Sequence, residues 1–236
     1  VLCARLEAAQ QQASCPSGGV TVTMSQLCEE VIKPRTRVPR GGGEQRRRGG
    51  SGSCDSNGAA GGFAVSNGAP ATSLEEKEEK EEEEPELLSY AELGLRTKLM
   101  DSRGRPAFGI ATAFVSYAWA YDLTALTEAL GLWLEQTGTQ EQSTYFWVDA
   151  FVLNQHQTLS LPPEWWSTRF MEVIGEIGHT VLVLEPWDDP IPLTRAWCLW
   201  ELYGTEVTGA RLHFAMRPAA QQTFKTALIS SCEEVQ

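Results

Sequence analysis

Apolar and polar positions in the second half of the chain follow two alternating patterns. Short continuous apolar runs are typical of buried parallel strands, and they occur at residues 111–117, 144–148, 180–184 and 211–216. Apolar residues three and four apart are typical of helices, and they occur at residues 123–135, 165–177, 194–207 and 219–230. Strands that alternate with helices of this length form βαβ units. The pattern therefore predicts an α/β domain with a central parallel sheet of four to five strands.

Two shorter helices are predicted ahead of this domain. Residues 24–32 carry an apolar stripe at helical spacing, with Ser25 as the expected N-cap and Pro34 as the expected end. Residues 89–100 carry a similar stripe, which Gly104 closes.

Composition separates the first third of the chain from the rest. Residues 39–73 are rich in Gly, Ser, Ala, Asn and Arg, which is typical of a flexible linker. Residues 74–86 hold nine Glu and two Lys, a net charge of −7, and like charges at this density keep a segment solvated. We therefore predict a short helical or poorly ordered segment at residues 1–38, a disordered low-complexity linker at 39–86 and the α/β domain at 87–236, with its core at 111–216. Because the chain does not begin with Met and ends abruptly, we expect a fragment whose domain is truncated at the C-terminus.

The charge and the cysteines exclude several classes of protein. The formal net charge is −12 at pH 7, so the domain has no electrostatic reason to bind a phosphate backbone, and we expect no nucleic-acid partner. No apolar run approaches the ~20 residues of a membrane span. The six cysteines form no CxxC pair and have no His at zinc-like spacing. We therefore expect free thiols, no metal site and a reducing, cytoplasmic compartment.

One carboxylate is unusual on the helix predicted at residues 194–207. Glu201 is surrounded in sequence by large apolar residues, and at helical spacing it shares a face with Trp197, Cys198 and Thr205. Such a carboxylate is either fixed by hydrogen bonds as part of the fold or retained for chemistry.

Polar and aromatic residues follow the predicted strands, at the edge where the carboxyl ends of the strands meet. In an open parallel sheet, ligands bind in the crevice at this edge. Indole rings stack on flat ligands, and carboxylates accept hydrogen bonds from ribose hydroxyls. The candidate ligand-binding residues are Ser116, Tyr117, Trp119, Asp149, Trp187 and Trp197, with Glu201 as the candidate catalytic residue and His156 as a further polar candidate. The alternative is that the tryptophans belong to the core and the acids cap helices.

Two motifs resemble those of Toll/interleukin receptor (TIR) domains, and a third resembles an element of a related group. The sequence FVSY at residues 114–117 resembles their first-strand motif, and the apolar strand at 180–184 followed by WCLWEL at 197–202 resembles their third motif. Between them, FWVD at 146–149 with NQ at 154–155 resembles an element of fungal heterokaryon-incompatibility domains, which are themselves TIR-like. The whole block is similar to TIR-like proteins of algae and other protists, in which the domain often precedes kinesin-light-chain-like tetratricopeptide repeats.

The resemblance implies a flavodoxin-like fold with three layers, self-association and contact with other signalling proteins. In many members it also implies cleavage of NAD, as a substrate rather than a cofactor, at the nicotinamide–ribose bond. The catalytic glutamate of those members corresponds to Glu201. The alternative function is a non-enzymatic assembly module within a larger repeat-containing protein. A receiver-type domain fits less well, because the acidic pair expected after the first strand is absent.

Overall fold

The computed structural model describes residues 2–4, 22–39 and 84–234. Residues 1–38 and 86–236 belong to one unit and residues 39–85 to another. The predicted linker at 39–86 lies outside the described residues except at its two ends. All described helices and strands belong to the first unit.

The described residues form eight strands, seven helical segments and three 3-10 turns, at Glu141–Ser143, Thr158–Ser160 and Ile191–Thr194. The strands are β1 (Leu2–Ala4), β2 (Arg37–Val38), β3 (Glu86–Leu87), β4 (Phe108–Ile110), β5 (Ala113–Ser116), β6 (Phe146–Trp147), β7 (His179–Val183) and β8 (Arg211–Ala215). The first helical segment, α1, joins Met24–Leu27, a π-helical turn at Cys28–Ile32 and Lys33–Arg35. The others are α2 (Tyr90–Arg96), α3 (Leu123–Thr137), α4 (Asp149–Val152), α5 (Pro163–Ile177), α6 (Ala196–Thr208) and α7 (Pro218–Glu234).

Six strands form one sheet in the order β4-β1-β6-β5-β7-β8, while β2 and β3 pair separately. The strands β6, β5, β7 and β8 run parallel, and β1 pairs antiparallel with β4 and β6. Counted along the chain, the parallel strands stand in the order second, first, third, fourth, which is the order of flavodoxin-like doubly wound sheets. The predicted α/β fold with four parallel strands flanked by helices is confirmed.

Alternate residues of β5 point to opposite faces of the sheet. Ala113 and Val115 join the larger core, which includes residues of α1 and α3. Phe114 stacks on Trp147 of β6 in the second core, on the face that α5 and α6 cover. Ser116 lies on the same face as Phe114, and this alternation directs its hydroxyl toward α6.

Helix α1 differs from its prediction at both ends. Thr23, rather than Ser25, is the N-cap, and it forms a capping box with Gln26. Pro34 does not end the helix at once, because α1 continues through it to Arg35 and is capped by Thr36. Buried side chains of α1 at Met24, Leu27 and Ile32 pack into the main core, so the segment before residue 39 contributes to the same core as the sheet.

The longer helices agree with the predicted ranges to within a few residues. The helices α3, α5 and α6 end at Gly138, Gly178 and Gly209, and each glycine adopts the left-handed conformation that ends a helix. Helix α2 is shorter than the predicted range 89–100, because Thr97 caps it and the chain turns at Lys98. The short strands β1 and β4 were not predicted.

Helices α5 and α6 pack side by side over the second core. Near their C-terminal ends, a Cβ at Gly204 would lie only 3.1 Å from the Ile174 Cδ1 atom. Near their N-terminal ends, the ring centroids of Trp166 and Phe170 lie 5.4 and 4.8 Å from that of Trp197. The contact between these helices therefore changes from small residues to large rings toward the carboxyl edge of the sheet.

Candidate functional site

Glu201 lies on the face of α6 that is directed at the sheet. Its side chain is buried, at 4% exposure, and Ser116 at the end of β5 donates a hydrogen bond from Oγ to Glu201 Oε2 at 2.6 Å. One turn earlier, Cys198 Sγ donates to the Tyr117 carbonyl at 3.4 Å, and one turn later Thr205 Oγ1 donates to Thr180 Oγ1 at 2.8 Å. These contacts fix the helix against β5 and β7, the strands where the sheet order reverses.

Asp149 begins the short helix α4, immediately after β6. Its carboxylate accepts hydrogen bonds from the Tyr117 hydroxyl at 2.6 Å, from Trp119 Nε1 at 2.8 Å and from the Ala150 amide at 2.7 Å. The side chain thus links the loop after β5 to the loop after β6 and orients the indole of Trp119.

A cavity of about 310 Å³ opens at this edge of the sheet. Its lining residues are Tyr117, Trp119, Asp149, Leu153, Gln155, Thr158, Trp166, Phe170, Arg195, Trp197, Cys198 and Glu201. Five predicted site residues are therefore brought together: Tyr117, Trp119, Asp149, Trp197 and Glu201. A sixth, Ser116, is fully buried beneath Glu201 and contacts the cavity only through that carboxyl group.

Trp187 is the predicted site residue that the structure places elsewhere. Its Nε1 donates a hydrogen bond to Thr223 Oγ1 at 2.9 Å, and its ring packs edge-on against Phe224 with centroids 5.3 Å apart. Both partners belong to α7, so Trp187 anchors that helix and does not line the cavity. The prediction for Trp187 was wrong because the loop after β7 carries this residue away from the end of the strand.

His156 also lies away from the cavity lining. Its Nε2 is 2.8 Å from Thr36 Oγ1, at the end of α1. Burial lowers the pKa of His156, and the positive charges of Arg37 and Lys33 lower it further. The side chain thus ties the loop after α4 to α1.

Sequence reasoning missed several cavity residues. Gln155, whose Nε2 donates to the Asp149 carbonyl at 2.9 Å, belongs to the NQ motif and could have been assigned from it. Trp166 and Phe170 are one turn apart on α5 and therefore share a face of that helix. Once Trp166 is placed at the carboxyl edge of the sheet, this spacing predicts that Phe170 lies there too. Arg195, directly before α6, carried no such signal, because its distance from the cavity depends on the loop that precedes it.

Burial and neighbouring charges shift the ionisation of both carboxyl groups. Burial raises the pKa of Glu201 well above its usual range; the hydrogen bond from Ser116 and the charge of Arg195 oppose the shift, while Asp149 adds to it. Burial also raises the pKa of Asp149, against the hydrogen bonds from Tyr117 and Trp119. The negative charge of Asp149 therefore makes the ionisation of Glu201 more costly, whereas hydrogen bonds from Tyr117 and Trp119 favour the charged form of Asp149.

Arg195 is the cationic residue of the cavity lining. Its side chain is exposed and, within the described residues, makes no hydrogen bond or ion pair. A positive charge is thus available beside the buried Glu201 and the partly buried Asp149. Across the same described ranges, no cluster of three or more His, Cys, Asp or Glu side chains is arranged to hold a metal ion.

Comparisons with family models, with curated proteins and with solved structures found no match to this chain. In the described part of the chain, every helix is too short or too polar to cross a membrane. The chemistry of the site is defined by the buried Glu201, the partly buried Asp149, aromatic walls and the Arg195 guanidinium group, which has no hydrogen-bond or ion-pair partner among the described residues.

Proposed function

We propose that this α/β domain hydrolyses NAD at the nicotinamide–ribose bond, with Glu201 as the catalytic residue. One observation carries the proposal: Glu201 is a buried carboxyl group in an aromatic cavity at the carboxyl edge of the sheet, where ligands of such folds bind. A carboxyl group is costly to bury, and a site with a shifted pKa in a cleft is a typical place for chemistry. The resemblance of the WCLWEL motif to the third TIR motif supports the same assignment.

In this reaction the bond between C1′ of the ribose and the pyridinium nitrogen breaks, and its electron pair leaves with neutral nicotinamide. The ribose becomes an oxocarbenium-like cation, and water then attacks C1′ and loses a proton to give ADP-ribose. In its ionised form, which the hydrogen bond from Ser116 and the charge of Arg195 favour, Glu201 accepts hydrogen bonds from the ribose hydroxyls and stabilises the developing positive charge. The faces of Trp119 and Trp197 offer contacts for the flat nicotinamide ring.

The test is release of nicotinamide from NAD by the purified chain at high concentration, measured by liquid chromatography. Glu201→Ala is expected to lower the rate by roughly 100-fold or more, because the transition state loses its charge partner. Glu206→Ala is the matched control, since Glu206 is an exposed acid on the same helix. Full activity in Glu201→Ala would remove Glu201 from the mechanism.

A second candidate function is non-enzymatic self-assembly, with other signalling proteins as further partners and repeats outside this chain. The observation that favours it is an apolar stripe on the outer face of α6, where Leu199, Tyr203 and Val207 are 47%, 54% and 58% exposed. These residues follow each other at four-residue spacing and form one ridge. A cytoplasmic location is part of both candidates and rests on the cysteine spacing.

Analytical ultracentrifugation separates the two functions. Under the assembly hypothesis, the chain associates with increasing concentration, Tyr203→Glu prevents this, and neither NAD nor Glu201→Ala changes it. Leu228→Glu on α7 is the matched control, because Leu228 is 50% exposed on another surface. Equal association of Tyr203→Glu and the parent chain would exclude the α6 stripe as the contact.

A further inference from the structure

A second concave surface adjoins the cavity, and we name it the outer groove. Its volume is about 470 Å³, and its lining residues are Thr158, Leu159, Leu161, Pro163, Trp166, Ser167, Trp197 and Trp200. Three of these residues, Thr158, Trp166 and Trp197, also line the cavity. A ligand seated in the cavity therefore has the outer groove directly beside it, across two shared indoles.

The two compartments differ in charge. The cavity is lined by Asp149, Glu201 and Arg195, whereas every residue that lines the outer groove is uncharged. The cavity thus suits a polar or charged group, and the groove suits a neutral group with a large apolar surface.

The shape of the groove favours a flat occupant. The shared indoles of Trp166 and Trp197 stand nearly perpendicular, at an interplanar angle of 84°, and Trp200 follows Trp197 on α6. Leu159 completes the lining from the loop before α5 and is fully exposed, so its side chain is available to cover a bound ring. Stacking against an indole is favourable for any nucleobase, since each base has a π face.

We propose that the outer groove binds the neutral base of a dinucleotide whose other half occupies the cavity. The proposal rests on the function proposed above for the identity of the group in the cavity. It assigns Trp200 and Leu159 as specificity residues that distinguish a dinucleotide from a mononucleotide, although neither residue lines the cavity.

Adenosine is the probe that tests the groove without catalysis. In saturation-transfer NMR with the full chain, the adenine protons of adenosine are expected to receive more saturation than the ribose protons. Trp200→Ala and Leu159→Ala are expected to reduce that transfer, whereas Leu228→Ala is the control at a remote exposed leucine. Because Leu159 is fully exposed, its replacement leaves the core intact. No saturation transfer to adenosine in the parent chain, or equal transfer in all variants, would overturn the proposal. If the parent chain shows no transfer, the outer groove would instead be tested for binding of an apolar protein segment.

Kinetics with two substrates separate this proposal from the proposed function. Trp200→Ala is expected to raise the KM for NAD by about 5- to 100-fold, the range for loss of one stacked base, and to leave the KM for nicotinamide mononucleotide unchanged. Equal changes for both substrates would overturn the groove while leaving the NAD-cleaving function in place. If neither substrate is cleaved, the proposed function fails and the adenosine measurement alone decides the groove.

Discussion

At the scale of single residues, the central question is the energy that Glu201 costs the fold. A buried carboxyl group that accepts one hydrogen bond has lost most of its hydration, and the neighbouring Asp149 makes its ionisation still less favourable. A carboxyl group placed only for stability would be expected to have a cation in direct contact. Glu201 has Ser116 instead, so within the described residues no ion pair offsets the cost of its burial, and the catalytic role proposed above would explain why that cost is retained.

Replacing Glu201 by glutamine should stabilise the fold at neutral pH. The pKa of Glu201 is raised in the folded state, so its favourable contribution is present below the unfolded pKa, about 4.3, and is lost as pH rises through the folded pKa. Glu201→Gln has no such loss, and urea unfolding at pH 8 should show a gain of roughly 1–2 kcal/mol that shrinks toward pH 4. Glu206→Gln is the exposed control and should show no gain. A loss of stability in Glu201→Gln at pH 8 would contradict the assignment of a costly charge.

The charge of Arg195 should be measurable in the titration of Glu201. Arg195 opposes the upward pKa shift of Glu201, so Arg195→Gln is expected to raise the pKa of Glu201 further. The side-chain carboxyl resonance of Glu201, followed by ¹³C NMR, reports this pKa independently of any activity. Arg211→Gln removes an exposed cation elsewhere and serves as the comparison. An unchanged titration of Glu201 in the Arg195→Gln variant would show that the guanidinium group does not affect the pKa of Glu201.

At the scale of elements, continuous apolar patterns predicted all four parallel strands, including the short β6, but not the antiparallel strands β1 and β4. The strands β5, β7 and β8 and the helices α3, α5 and α6 each carry a strong period, so they follow from the sequence. The antiparallel strands β1 and β4 are held by pairing with neighbours, and nothing within three residues of sequence encodes such a pairing.

The composition of the N-terminal region does not reveal that helix α1 belongs to the core of the domain. Its sequence neighbours on the C-terminal side are rich in Gly and Arg, yet Met24 and Leu27 are nearly inaccessible to solvent. Composition averaged over a long window hides a short helix that packs against a distant part of the chain. Burial in the tertiary structure, rather than local propensity, defines its place in the domain.

Truncating Leu27 should reveal α1 as part of the cooperative core. Leu27 is 2% exposed, so Leu27→Ala is expected to cost about 2–5 kcal/mol of unfolding free energy, with the denaturant slope unchanged. Leu95→Ala on α2 is the control, since Leu95 is 40% exposed and should change stability by less than about 0.5 kcal/mol. Similar values for the two variants would mean that α1 unfolds independently of the sheet.

At the scale of the whole molecule, the order of the parallel strands determines where a ligand can bind. The predicted edge of the sheet is the edge that carries the cavity, because the rule for parallel sheets depends on topology alone. The sequence did not predict in full which residues line the cavity. Trp187 turns to α7 and Arg195 reaches the cavity because of the paths of two loops, and loop paths are not encoded by periodicity.

A histidine pair joins β7 and β8, away from the cavity lining, and should make stability depend on pH. His179 Nδ1 and His213 Nε2 are 3.4 Å apart. Burial lowers the pKa of His213, and the charges of His179 and Arg211 lower it further. The contribution of neutral His213 is therefore present above the unfolded pKa, about 6.5, and is lost as pH falls through the folded pKa.

The His213→Gln variant should flatten this dependence. Between pH 7.5 and pH 5.5, the parent chain is expected to lose more unfolding free energy than His213→Gln, by less than about 1 kcal/mol because the pair is only partly buried. Arg211→Gln should reduce the loss in the same direction, because it removes a repelling charge. Identical losses in the parent chain and His213→Gln would exclude the pair as the source of the pH dependence.

The change from small residues to large rings along the contact between α5 and α6 bears on the width of the cavity. The helices touch through Gly204 and Ile174 at one end and are separated by the rings of Trp166 and Trp197 at the other. At Gly204 the two helices approach so closely that an added Cβ would have to displace the Ile174 side chain or the helix that carries it. A larger residue at position 204 would push α6 away from α5. The width of the cavity between the helices would then depend on a side chain that does not line the cavity.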